Sequence, residues 1–230
     1  MTLRTNARIA GVAFLLYIAT GITELILFHG ASRGASIAAR LASIASHATL
    51  VRCSALLIML EFLCALALAT TIYGLTRHVD RDLALLAAAC RFTEGVLSAI
   101  GAGHRLELLT VATASTTATG PDAAATIAQG SLMLAGSAIV PTICFLCGST
   151  IYSFLFLRGR NIPIAIAWLG VFASLLWLVE ALLQMAGFVH GAMVNLIWIP
   201  MALFEVVLGV WLIARGVTAP APRLSPVTIG

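Results

Sequence analysis

The stretch IAGVAFLLYIATGITELILF, residues 9–28, decides the fold. Its twenty residues are hydrocarbon except for a tyrosine, two threonines and one carboxylate, Glu24, and a helix of about that length crosses a bilayer core. It is too long for a signal-peptide core and no small-residue cleavage motif follows it, so it reads as a first transmembrane helix that stays attached, preceded by Arg4 and Arg8.

Further runs of the same kind follow. The pattern predicts spans at about 49–76, 83–110, 126–157, 162–188 and 191–214, separated by the charged turn RHVDRD, a threonine-rich loop with Gly120, Pro121 and Asp122, and the basic turn RGRN. Between the first and second spans, Ile37, Leu41 and Ile44 recur at helical spacing opposite Ser36, Arg40, Ser43 and His47, which predicts a short helix lying in the membrane interface. The expected fold is therefore all-α: a polytopic membrane bundle of six transmembrane helices plus that interfacial helix. Residues 1–216 form one bundle domain, and residues 217–230, with Pro220, Pro222 and Pro226, a disordered cytoplasmic tail. Proline kinks are expected at Pro141 and Pro200, and a face of Gly130, Ser137, Pro141, Cys144 and Gly148 is expected to give close helix contact.

Composition agrees. The chain of 230 residues is 61% hydrophobic and 10% charged, which does not suit a water-facing surface. All 13 basic residues are arginine, and they are scattered over loops and helix ends without interleaved aromatics, so the net charge of +4 does not indicate nucleic-acid binding. Arg4, Arg8, Arg77, Arg81, Arg158, Arg160, Arg215 and Arg223 fall on one side of a six-helix arrangement, with Arg33, Arg40 and Arg52 as exceptions; the positive-inside rule then places both termini in the cytoplasm of a bacterial cell, with the bundle in its inner membrane. The five cysteines all fall within spans, where they act as small hydrophobes, and the CFLC step at Cys144 and Cys147 lacks the further ligands of a zinc site. No metal and no cofactor is expected; nucleotide, metalloprotease and hydrolase motifs are absent.

Function is carried by acids in the wrong solvent. Glu24, Glu61, Glu94, Glu180 and Glu205 lie inside apolar spans, where each carboxylate costs several kcal/mol unless it is paired, protonated or wet. Arg91 and Glu94 stand three residues apart on the third span, so they can pair, and Ser98, Gly101 and Arg105 continue their stripe. Tyr17 and Gly21 share a face with Glu24, Ser54 and Cys64 with Glu61, Trp177 and Gln184 with Glu180, and Asn195, Trp198, Ala202 and Gly209 with Glu205. The acids are expected to converge on one interior, with Glu94, Arg91, Glu61, Glu24 and Glu205 as the candidate catalytic residues. Of the histidines, His29, His47 and His190 read as interfacial, and His104 beside Arg105 could serve as acid or base.

The segments ARIAGVAFLLYIATGITE at 7–24, CRFTEGVL at 90–97 and FEVVLGVWLIARGV at 204–217 resemble a bacterial multi-pass membrane family catalogued as domain of unknown function 4386. The resemblance spans about residues 7–217. It implies six or seven helices with an acid late in the first, an Arg-x-x-Glu step in the third and an acid in the last, here Glu24, Arg91, Glu94 and Glu205.

Three functions fit this pattern. One is a membrane-embedded enzyme acting on a lipophilic small molecule, with Glu94 or Glu61 as general acid or base and Arg91 holding charge. Another is a proton-linked carrier or channel for a small solute. The third is a non-catalytic partner or sensor subunit whose acids are structural. The expected partners are the lipid bilayer and a lipophilic small molecule; substrate and oligomeric state stay open.

Overall fold

A computed structural model describes residues 2–136, 139–189 and 196–217; the proline-bearing tail, His190, Asn195 and Ser137 lie outside the described residues. Eight helices occupy them: α1 (Leu3–Ala31), α2 (Ile37–Ser46), α3 (Ala48–Thr76), α4 (Arg81–Ser115), α5 (Pro121–Leu134), α6 (Ile139–Gly159), α7 (Ile164–Met185) and α8 (Ile199–Ala214). Polar side chains mark where several begin. The Thr2 hydroxyl accepts from the Thr5 N–H at 3.2 Å, Ser36 from Ala39 at 3.2 Å and Asp80 from Leu83 at 3.2 Å, so each N-cap satisfies a backbone donor that the helix itself cannot.

Five stretches are long and apolar enough to cross a membrane: α1, α3, α4, the apolar stretch Pro121–Gly159 and α7. Their outward faces are hydrocarbon, with Leu56 69%, Phe172 65% and Val179 54% exposed, while Arg91, Glu94, Ser149, Ser153, Ser174 and Glu205 are buried. An apolar exterior over a partly polar interior suits lipid and not water, so the protein is a multi-pass helical membrane bundle.

The helices close a ring in chain order. α1 packs on α3, α3 on α4, α4 on α6, α6 on α7, α7 on α8, and α8 returns to α1. The closing seam depends on two glycines: a Cβ on Gly11 would stand 2.6 Å from the Gly209 carbonyl oxygen, and one on Gly209 would stand 3.1 Å from that of Gly11, so only hydrogen permits this backbone approach. α6 and α7 are joined by a polar contact, the Thr150 hydroxyl donating to Ser174 at 2.9 Å.

The two ends of the ring differ. At the end where α1 begins, Arg158 pairs with Asp80 at 3.2 Å and the Asn161 amide donates to the Leu75 carbonyl at 3.3 Å. Above this arginine-rich end the interior is filled by Phe14, Leu68, Leu75, Tyr152, Phe156, Leu208 and Leu212, all fully buried. At the far end, α2 and α5 pack on α4, and Leu41, Ile44, Val51, Leu108, Leu109 and Ala112 form a second apolar cluster there.

Of the span expected at 126–157, the described residues form α5, which ends at Leu134, and α6, described from Ile139. Pro200 sits in the first turn of α8, where the missing N–H costs nothing, and not at a mid-span kink. The expected small-residue face meets two different neighbours, since Gly130 meets Leu41 of α2 whereas Gly148 meets Cys90 and Ala87 of α4. The described part of the sixth expected span is also short, sixteen residues from Ile199 to Ala214, and follows the undescribed residues 190–195.

Candidate functional site

Arg91 on α4 is the largest fully buried side chain, 1% exposed. It fits because α6 carries glycine opposite it: a Cβ on Gly148 would lie 3.2 Å from the Ala87 carbonyl oxygen and 3.4 Å from Arg91 Cγ. Its guanidinium carbon lies 5.0 Å from the ring centre of Tyr17 and 4.9 Å from that of Phe145, two cation–π contacts around a buried charge. Phe145 is held in turn by Trp177, edge-on at 5.8 Å.

Glu94, one helical turn along, supplies the counter-charge. Its Oε2 lies 3.5 Å from Arg91 Nη1, and its Oε1 accepts the Tyr17 hydroxyl at 2.5 Å. Beyond that ion pair, none of the three guanidinium nitrogens has a hydrogen-bond partner. The pairing expected from the Arg-x-x-Glu step is therefore present, but it is a long contact completed by aromatic faces.

Above Glu94 opens a recess of about 340 Å³ to which all six ring helices contribute. Its polar lining comprises Tyr17 of α1, Glu61 of α3, Glu94 and Ser98 of α4, Thr142 of α6 and Glu205 of α8; Phe145, Trp177, Trp198 and Met201 supply apolar surface. Glu205 is 3% exposed, and its Oε1 and that of Glu61 are both buried without a partner among the described residues. Ile22 and Leu25, 42% and 47% exposed, give the recess an apolar rim on α1.

A family model matches residues 9–216 of this chain. The chain belongs to the family described as a domain of unknown function (DUF4386). No curated protein and no solved structure matches the chain. Of the four positions that the family resemblance singled out, Arg91, Glu94 and Glu205 meet around one DUF4386 core, and Glu24 does not join them.

Glu24 instead pairs with Arg105 at 2.8 Å, toward the far end of the bundle, with the Arg105 guanidinium stacked 3.3 Å over the Phe28 ring. Neither residue of this pair lines the recess. Arg105 thus leaves the Arg91–Glu94 stripe to which its spacing assigned it. Glu180 stays apart: both its oxygens are buried and unpartnered, yet only Trp177 of its helix reaches the recess lining. Ser54 donates to its own helix at the Val51 carbonyl, and His104 and Gln184 are exposed. Sequence reasoning missed Phe145 and Thr142. The available signal was their helical spacing from Gly148 and Ser149, but without an acid on α6 nothing marked that helix as part of the site.

Proposed function

We propose that this protein is a membrane-embedded enzyme that admits a lipophilic small molecule to the carboxylate-lined recess and acts on it by proton transfer. The observation that carries the reading is that Glu61, Glu94 and Glu205, from three different helices, line one recess whose other walls are mainly aromatic and aliphatic. Glu94 is occupied by Tyr17 and Arg91, whereas Glu61 and Glu205 each keep an oxygen with no partner among the described residues. An unsatisfied buried carboxyl is costly, and a substrate hydroxyl, amine or acidic C–H presented to it recovers that cost while being placed for proton exchange. In this division of labour Arg91 and Tyr17 fix Glu94, and Glu61 and Glu205 act as acid and base.

A dead-end pocket fits this reading better than a conduit. The half of the ring toward the arginine-rich end is filled by Phe14, Tyr152, Phe156 and Leu208, each fully buried, so a carrier would have to unpack that core to open a second mouth. With the arginine-rich end in the cytoplasm of a bacterial inner membrane, as the positive-inside rule directs, the recess opens on the opposite leaflet.

The test is turnover by purified protein on panels of isoprenoid alcohols, sterols and long-chain amines, followed by mass spectrometry. Glu61→Gln is expected to abolish conversion while ligand still binds, and Glu94→Gln to lower it. Wild-type conversion in both variants overturns the proposal.

A further inference from the structure

The lining of the recess has a sign. Among the described residues it carries three carboxylate side chains, Glu61, Glu94 and Glu205, and no basic residue. Among the described residues, the cation that contacts one of them is Arg91, which does not line the recess and is already engaged by Glu94 and by the faces of Tyr17 and Phe145. Arg105 is taken by Glu24 at 2.8 Å and by the Phe28 ring. Glu205, 3% exposed, and Glu61 therefore each face the recess with an oxygen that nothing among the described residues satisfies.

Four aromatic side chains, Tyr17, Phe145, Trp177 and Trp198, share that lining. Aromatic faces carry negative potential and, together with carboxylates in a water-poor space, form the usual environment for an ammonium head. The aliphatic rim at Ile18, Ile22 and Leu25 offers a path for a hydrocarbon tail. A neutral hydrogen-bond donor recovers part of that cost and an anion adds to it, whereas a cation neutralises the acids where desolvation makes the attraction strongest. We propose that the ligand of this recess is a lipophilic cation, an amine or quaternary ammonium carrying a hydrocarbon tail, whose head is held between Glu61 and Glu205 against the aromatic wall. The assignment rests on the recess being a ligand site, as argued above, and adds the charge of what enters it.

The experiment compares four probes of one chain length, octylamine, octyltrimethylammonium, octanol and octanoate, titrated calorimetrically into the protein in phosphatidylcholine nanodiscs, with empty nanodiscs subtracted to remove partitioning into lipid. The two cations are expected to bind saturably and at least about tenfold more tightly than octanol, with octanoate weakest. Glu205→Gln and, separately, Glu61→Gln should narrow the gap between cation and alcohol by weakening the cations more than octanol. If a variant does not fold, the wild-type series alone still decides. Octanol binding as tightly as the cations, or octanoate binding best, overturns the assignment of charge and leaves the recess as a ligand site. No saturable binding of any probe overturns both.

Discussion

Removing the guanidinium of Arg91 should damage the fold more than removing the whole Arg91–Glu94 pair. In Arg91→Met the two cation–π contacts with Tyr17 and Phe145 disappear, worth about 0.5–2 kcal/mol each, and Glu94 keeps a buried Oε2 with no counter-charge. Stranding one member of a buried pair costs about 3–5 kcal/mol, and the same range applies to Glu94→Gln, which strands a guanidinium that already lacks hydrogen bonds. In the double variant no charge is left behind. The side-chain amide oxygen introduced by Glu94→Gln can still accept the Tyr17 hydroxyl, and methionine fills the slot opposite Gly148, so the expected loss falls to about 1–2 kcal/mol. Equilibrium unfolding by dodecyl sulfate in bicelles, read by tryptophan fluorescence on wild type, both single variants and the double, gives the coupling energy directly. Losses in the singles that add to that of the double within about 0.5 kcal/mol would refute the claim that this pair is held by mutual neutralisation.

The peripheral ion pair should behave differently. Arg105 is 26% exposed and its partner Glu24 12%, so Arg105→Ala is expected to cost about 1 kcal/mol, less than half the loss from Arg91→Met in the same unfolding assay; an equal or larger loss contradicts the placement of the two pairs. At Gly170 an added side chain would run into the Phe204 ring and Ser153 Oγ, so Gly170→Val should destabilise by about 3 kcal/mol or more and lower the Tm measured by differential scanning fluorimetry, whereas an unchanged Tm means that α7 and α8 are not in this contact. Asp80 both caps α4 and pairs with Arg158, two roles that substitution separates: Asp80→Ala should cost about 1 kcal/mol and Asp80→Asn, which keeps the cap, under about 0.5 kcal/mol. Equal losses in those two variants would assign the effect to charge and not to capping.

What could be read from the chain was set by quantities that add along it. The apolar stretch at 9–28 fixed α1 whatever its neighbours, because each lipid-facing residue contributes independently to transfer into hydrocarbon. The Arg91 to Glu94 spacing fixed a local pair for the same reason, since both partners belong to one helix.

The tertiary structure alone decided which acids meet. Glu24, Glu61 and Glu205 look alike in sequence, each a lone acid in hydrocarbon, and their fates depend on how each helix turns within the ring. Rotation of a helix about its axis is set by contacts with its neighbours, by Gly11 against Gly209 and by Gly148 against Arg91, and not by hydropathy. That rotation sends Glu61 and Glu205 to the recess, gives Tyr17 to Glu94 and delivers Glu24 to Arg105. Transfer into lipid sums over single residues and can be counted from the sequence, whereas a polar site in a bundle is a property of pairs of helices and exists only once they are packed.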